Sequence, residues 1–280
     1  VGVFGRERVE LKSPDQVLLM RQAGLVVARA LAATRDAARP GMTTADLDAV
    51  AAAVIADAGA EPSFLGYEGY PATICVSVND EVVHGIPSGR VLEPGDVVSI
   101  DCGAIVQGWH GDSALTLVLP EADPADLALR DLTERAMWDG IAALAGPGGT
   151  GLADRLNVVG EAVEDAVEAA GPFGIVEDYV GHGIGSAMHQ PPDVLNYRVR
   201  DRGLKLRPGM CLAIEPMITR GSAATEVLED DWTVVTADGS RAAHWEHTVA
   251  LHEGGIWVLT AQDGGEAELA ARGVQVQPLA

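Results

Sequence analysis

The chain has 280 residues, 48% of them apolar, with 19 basic against 41 acidic side chains and a formal net charge of −22. That length buries a sizeable core as one large domain or two fused halves, and the composition excludes a collagen, an extended disordered chain and a coiled coil. A surface so negative repels phosphate backbones and anionic lipid, which excludes general binding to DNA, other nucleic acid or a membrane surface.

In chain order, Ser13-Pro14-Asp15-Gln16 reads as a capping box, with Pro at the first helical position and Gln three residues after the cap. Val17, Met20, Gly24, Val27 and Leu31 continue the apolar stripe of a helix to about Arg35. Pro40-Gly41 breaks the chain, and Thr43 caps a second helix through Leu47, Val50 and Val54 that Gly59 ends. Strands are predicted over residues 73–78, 97–106 and 114–119. The same order then recurs. Asp123-Pro124 starts a third helix, Pro147-Gly148 breaks it, and Thr150 caps a fourth through Leu152, Leu156, Val159, Val163 and Val167, which Gly171-Pro172 stops. Strands follow near residues 210–217, 232–236, 245–251 and 256–260, and the Gly-, Gln- and Ala-rich tail from Ala261 is expected to fray.

Helix, helix, then strands, twice over, indicates an internal duplication, and local matches support it. Pro40-Gly41-Met42-Thr43 matches Pro147-Gly148-Gly149-Thr150, and His84-Gly85-Ile86 matches His182-Gly183-Ile184. Leu92-Glu93-Pro94-Gly95 through Asp101 lies over Leu206-Arg207-Pro208-Gly209 through Glu215. The expected organisation is an arm over 1–12, a single catalytic domain over 13–260 with half-repeats of about 13–120 and 121–260, and a tail over 261–280.

Cys75, Cys102 and Cys211 each sit in an apolar run without paired spacing, which argues for a reducing compartment and against a disulfide framework or zinc cluster. The polar start carries no signal peptide and no apolar run approaches a membrane span, so a cytoplasmic protein is expected.

The repeat puts an acid at the same place in each half: Asp101 and Glu215 both end an apolar strand after a Pro-Gly turn. An unpaired buried carboxylate is costly, so something cationic should face it. A second acid follows in each half, Asp112 in Trp109-His110-Gly111-Asp112 and Glu246 in Trp245-Glu246-His247. With His182 in the loop Gly181-His182-Gly183-Ile184-Gly185 they would make a five-ligand site, mostly of oxygen, suited to two divalent ions that share bridging carboxylates. Such a pair can deprotonate one bridging water for hydrolysis. His84 and His189 could donate to a developing oxyanion or to a leaving nitrogen. Taken singly, each acid reads as a turn cap and each histidine as a packed or surface residue; the joint pattern carries the chemistry. His110, His244, His247 and His252 keep the structural reading, and Cys102 and Cys211 read as packing residues.

The residues Asn79 through Pro87, Asp101 and Asp112, Gly181 through Gly185 with His189, Ile214-Glu215-Pro216-Met217 and Glu246-His247-Thr248 together resemble type I methionine aminopeptidase, over about residues 10–260. The resemblance implies an α+β pita-bread fold, shared with creatinase and prolidase, with two pseudo-twofold-related halves and a curved antiparallel sheet. It implies Asp101, Asp112, His182, Glu215 and Glu246 as metal ligands, Asp112 and Glu246 bridging, for two divalent ions that could be Fe, Mn, Co or Zn. His84 would lie by the scissile nitrogen, His189 by its carbonyl oxygen, and Glu215 would assist the hydroxide nucleophile. The substrate amine would bind one metal, and Phe64, Tyr67, Tyr70, Cys75, His84, Met188 and Trp232 would line the methionine pocket. The implied reaction removes the initiator methionine of nascent chains when the second residue is small.

Val83 stands where the family often has Cys, and Phe64 and Met188 occupy pocket positions that vary, which bears on pocket shape. No long insertion separates His189 from Glu215 and no zinc-binding or Pro-rich extension precedes the domain, which disfavours the type II and long type I forms. Between Pro216 and Trp232 the family often shows a basic loop suited to ribosomal RNA, whereas this chain has Arg220 against Glu226, Glu229, Asp230 and Asp231. Weak ribosome association, or docking by another surface, is therefore expected of an enzyme acting as a monomer on peptide or nascent-protein N-termini. The alternatives are an Xaa-Pro aminopeptidase or prolidase, whose relatives carry an additional N-terminal domain, and a non-catalytic binding protein on the same fold, which should have lost ligands.

Overall fold

A computed structural model of the protein describes residues 9–279. Five helices are present among them: α1 (Pro14–Ala37), α2 (Thr44–Asp57), α3 (Pro124–Ala143), α4 (Val158–Ala170) and α5 (Glu266–Ala271). The strands of the first half are β1 (Glu61–Pro62), β2 (Ile74–Val78), β3 (Glu81–Val83), β4 (Val97–Val106) and β5 (Trp109–Val118). Those of the second half are β6 (Gly174–Ile175), β7 (Gly181–Gly183), β8 (Gln190–Val194), β9 (Cys211–Ile214) and β10 (Met217–Thr219), followed by β11 (Thr225–Val227), β12 (Val234–Thr236), β13 (Ala242–His244), β14 (Glu246–His252) and β15 (Gly255–Val258).

Local chemistry sets the helix starts. The Ser13 backbone N–H donates to Gln16 Oε1 at 2.8 Å while the Gln16 N–H donates back to Ser13 Oγ at 3.4 Å, the reciprocal box expected of that motif. Thr43 with Asp46 repeats it on α2, and Asp123 caps α3 through the Ala125 N–H. The fourth helix starts later than Thr150. Gly148, Gly149 and Gly151 all have positive φ and Leu152 bridges to Ala145, so the chain makes a tight turn and then irregular structure before α4 opens at Val158. A second difference lies at β5. Gln107 and Gly108, with φ of 50° and 81°, close a two-residue hairpin, so the strand begins at Trp109 and includes Asp112.

The main sheet is antiparallel, in the order β1-β4-β5-β14-β9-β7-β8, with β2 also on β4 and β15 on β14. β5 and β14 meet at its middle, Ala114 opposite Glu246, and each is flanked by the strand that leads to its own half's acid, β4 with Asp101 and β9 before Glu215. The two halves thus join at the β5–β14 pair, each contributing a flanking strand and an acid. Each half has its own core: Val27, Leu47, Ile55, Ile74 and Ile100 in the first, and Leu129, Ile141, Val159, Leu212 and Val249 in the second. Strand alternation does the sorting. Ile100, Cys102 and Ala104 of β4 join the first core, leaving Ser99, Asp101 and Gly103 for the opposite face.

Gly24 lets α1 approach the sheet closely, since a Cβ there would lie 2.3 Å from the Leu259 carbonyl oxygen. An 18-residue window of α1 has a mean hydropathy of 1.4, long and apolar enough to span a membrane by composition; half of that window is buried within the fold, however. Of the arm expected over 1–12, residues 1–8 lie outside the described residues. Residues 9–12 pack on the body, the Lys12 N–H donating to Gly209 O at 2.7 Å. The tail does not fray from Ala261 as expected. Leu269 of α5 and Val274 are buried in the second core, and Arg272 Nε donates to Asp139 Oδ1 of α3 at 2.7 Å.

Candidate active site and metal centre

A cavity of about 190 Å³ opens on the face of the sheet opposite the helix cores, and every residue singled out from the sequence lines it or borders it. The acids come from four strand positions. Asp101 lies on β4 and Asp112 on β5, Gly103 opposite Asp112 in the register, while Glu246 opens β14 and Glu215 follows β9. Hydroxyls and an amide fix their backbones. Thr248 Oγ1 donates to Asp112 O at 2.8 Å and accepts from its N–H at 3.1 Å, Ser113 Oγ donates to Glu246 O, and Asn196 Nδ2 donates to Glu215 O at 3.2 Å.

His182 on β7 donates from Nδ1 to Gly183 O at 3.0 Å, which leaves the Nε2 lone pair facing Glu215 Oε1 at 3.3 Å. Two acceptors that close require a proton or a cation between them. Ligand atoms of Asp112, His182 and Glu246 lie within 4.8 Å of one another, and Asp101 Oδ1, Asp112 Oδ1 and Glu246 Oε1 are buried with no hydrogen-bond donor. Among the described residues no Lys or Arg lines the cavity.

The electrostatics follow from that dryness. Burial pushes the Asp101 carboxyl up to about 7 and Glu215 up to about 8. Burial and then the neighbouring carboxylates push Asp112 and Glu246 well above the ordinary range. The histidines move the other way: burial lowers His182 to about 3 and His84 to about 4, and it also lowers His189. Neutral imidazoles cannot balance four crowded acids, so the donor set of carboxylate oxygen and imidazole nitrogen fits a divalent metal centre.

The other side of the cavity is apolar. Phe64, Tyr70, Cys75 and Met188 are buried in one cluster, with Tyr67 and Trp232 packed against it. Tyr70 stacks edge-on to Trp232 at 5.0 Å and to Phe64 at 6.5 Å, and its hydroxyl donates to Gly85 O at 3.0 Å. Cys75 lies directly opposite Asp101 in the β2–β4 register, so the sulfur wall abuts the acids. His84 follows β3 with φ of 61°, its ring edge-on to Tyr179 and Trp232. His189 sits exposed at the mouth, 4.3 Å from the His182 ring, with Nδ1 2.9 Å from Tyr67 Oη.

Two lining residues, Glu68 and His244, were not assigned to the site from sequence, and Val83, read there as bearing on pocket shape, lines it as well. Glu68 is exposed at the mouth. His244, read from sequence as structural, is 1% exposed and places Nε2 3.6 Å from Glu215 Oε2. Its position two residues before Glu246 on an extended segment was the available signal, because alternate residues share a face. His110, His247 and His252 do make structural hydrogen bonds, to Ser63 Oγ, to the hydroxyls of Ser113 and Thr260, and to Gln277 O.

Comparison with known proteins places this geometry. The profile of metallopeptidase family M24 matches residues 18–253. Methionine aminopeptidase 1 of Mycobacterium tuberculosis is 51% identical over 262 residues, covering 91% of this chain and 96% of that protein. The methionine aminopeptidase of Clostridium acetobutylicum is 45% identical over 251 residues, covering 89% and 98%. The crystal structure of methionine aminopeptidase from Thermotoga maritima superposes with a TM-score of 0.86 at 40% identity, over 91% of this chain and all of that one. Prolidase from Pyrococcus furiosus, at 20% identity and a TM-score of 0.69 over 90% of this chain and 65% of that one, shares the fold alone. The α+β pita-bread fold expected from the motifs is the fold observed.

Proposed function

The chain belongs to metallopeptidase family M24, and from that premise we propose that it is a metal-dependent methionine aminopeptidase that removes an N-terminal methionine when the next residue is small. The observation that carries this reading is an apolar, sulfur- and aromatic-lined pocket opening directly onto a dry cluster of carboxylates and imidazole. A methionine side chain suits such a pocket, since its thioether packs well against aromatic edges.

Asp101, Asp112, His182, Glu215 and Glu246 would hold the two divalent ions of this reading. Those ions, which could be Fe, Mn, Co or Zn, would supply Lewis acidity for ionising water and polarising the scissile carbonyl. Glu215, held ionised once metal is bound, would take the proton of the attacking water and return it toward the leaving amine. Tyr67 Oη can donate to His189 Nδ1, so that Nε2 keeps its proton and can donate to the substrate carbonyl oxygen. Burial lowers His84 to about 4, which favours the neutral imidazole that would hydrogen-bond the scissile nitrogen. Phe64, Tyr67, Tyr70, Cys75, Met188 and Trp232 hold the methionine side chain.

The half-repeats over 13–120 and 121–260 form one catalytic unit, acting as a monomer on peptide and nascent-protein N-termini. Its three buried free thiols suit the cytoplasm. Ribosome association through the 217–231 segment is weak in this reading. Glu226, Glu229, Asp230 and Asp231 are exposed there, and Arg220 is engaged by Asp126 Oδ1 at 2.6 Å and Asp123 Oδ2 at 3.5 Å.

The test is release of the first residue from Met-Ala-Ser, Met-Leu-Ser and Ala-Pro-Ser by chelated protein reconstituted with each candidate metal. Metal-restored cleavage of Met-Ala-Ser alone is expected. Turnover of Ala-Pro-Ser with silence on both methionine peptides would move the protein to the proline-specific relatives. Silence on all three with metal bound would make it a binding protein.

A further inference from the structure

Glu215 is flanked by two histidines, of which only His182 belongs to the expected ligand set. The other, His244, ends β13, where its neighbours hold it rigidly. The His244 N–H donates to Thr116 Oγ1 at 3.0 Å and reaches Ser99 Oγ at 3.3 Å, while Thr116 Oγ1 donates to the His244 carbonyl at 2.7 Å. Hydroxyls from β4 and β5 thus clamp the backbone on both sides. The side chain is buried and its Nε2 has no hydrogen-bond partner, which is uncommon for a buried polar atom and marks it as poised toward something in the cavity. The acceptor it faces is Glu215 Oε2 at 3.6 Å, while the other carboxylate oxygen, Oε1, faces His182 Nε2 at 3.3 Å.

We propose that His244 is a positioning residue for the reaction: its Nε2–H donates to Glu215 Oε2, which holds the carboxylate plane and commits Oε1 to the side of His182 and the metal centre. This role rests on the metal-centre reading given above. The gap of 3.6 Å is longer than a formed hydrogen bond, and hydrogen bonds in catalytic sites commonly tighten only when the site is loaded. A donor fixed behind a ligating carboxylate orients it and tunes its affinity, and loss of such a partner typically costs about 10–100-fold in metal affinity or activity.

The experiment compares wild type, His244→Gln and His244→Leu as full-length protein. Calorimetric titration of chelated protein with Co²⁺, the visible spectrum of the Co²⁺ form, and steady-state kinetics on Met-Ala-Ser are the readouts. Gln keeps an N–H donor and is expected to stay within about threefold of wild type in affinity and kcat. Leu is expected to weaken Co²⁺ binding by about tenfold or more, to alter the Co²⁺ spectrum, and to lower kcat with little change in KM. The proposal is overturned if Leu leaves affinity and spectrum unchanged, or if Gln is as impaired as Leu, since the ring itself would then be a ligand or a space-filler. If the Leu variant does not fold by circular dichroism, His244→Gln is set against His244→Ala, which presents no donor to Glu215. Gln must bind Co²⁺ more tightly than Ala, and equal affinities would refute the role. Failure of wild type to bind Co²⁺ at all would overturn the metal-centre reading together with it.

Discussion

The dry acid cluster makes a quantitative prediction through Glu215. In the unfolded chain its carboxyl titrates near the ordinary value for Glu, about 4.3, whereas in the fold burial raises it to about 8. Near neutral pH the chelated native state therefore binds a proton that the unfolded state does not, so stability falls as pH rises toward the folded pKa. Between about pH 6.5 and about pH 8 the loss is on the order of 1–2 kcal/mol. The histidines also titrate in the unfolded chain over part of that range and act in the opposite sense, so a direct pH comparison of wild type would mix the two. Glu215→Gln separates the acid cluster from the histidines, because it keeps the shape, removes the Glu215 titration with its coupling to Asp101, Asp112 and Glu246, and leaves every histidine in place. In urea unfolding at fixed chelator, wild type is expected to lose on the order of 1–2 kcal/mol relative to Glu215→Gln over those two pH values. Saturating divalent metal should abolish that pH dependence, because the carboxylate is then held ionised by the ion. A wild-type minus Gln difference that does not move with pH would show that Glu215 sits in water rather than in a dry anionic cluster.

Further perturbations address other parts of the reading. Asp112→Asn is expected to weaken Mn²⁺ binding by about 100-fold or more in calorimetric titration, and affinity within threefold of wild type would remove Asp112 from the metal centre. Met188→Ala enlarges the apolar pocket and should lower kcat/KM for Met-Ala-Ser by about tenfold with Mn²⁺ affinity unchanged; an equal loss for a peptide with a small first residue would argue against a role in holding methionine. Gly24→Ala drives a Cβ against the Leu259 carbonyl oxygen at 2.3 Å, and chemical denaturation should register a loss of about 2 kcal/mol. Co-sedimentation with ribosomes should be weak, and tight binding that is lost with salt and on substitution of the 226–231 acids would contradict the docking reading.

Much of this protein was legible along the chain. Capping boxes at Ser13 and Thr43 and the caps and breakers around α3 are local chemistry, decided by residues three or four apart, and they located three of the four long helices. The doubled Pro-Gly-strand-acid motif pointed to two related halves, because two copies of one supersecondary unit would keep the same turn and the same carboxylate. Where the sequence failed, the competing force was not local. Thr150 offers a good cap, yet positive φ at Gly148, Gly149 and Gly151 and the bridge from Ala145 to Leu152 delay α4 to Val158. The tail from Ala261 has the composition of a loose end, but Leu269 and Val274 find a core built by the second half.

The site divides in the same way. Residue type and spacing determined which acids and histidines could share a centre, since carboxylates buried in that number must either take up protons or face a cation. Only the tertiary structure decided how they meet. Pairing β5 with β14 brings Asp112 and Glu246 together from positions far apart in the chain, and register puts Cys75 opposite Asp101, so the apolar wall adjoins the acids. The same closure turned His244, which a linear reading leaves as one more packed histidine, toward Glu215. Such placements depend on which strands become neighbours, and strand neighbours are chosen by burial of the two cores rather than by any local signal in the residues they bring together.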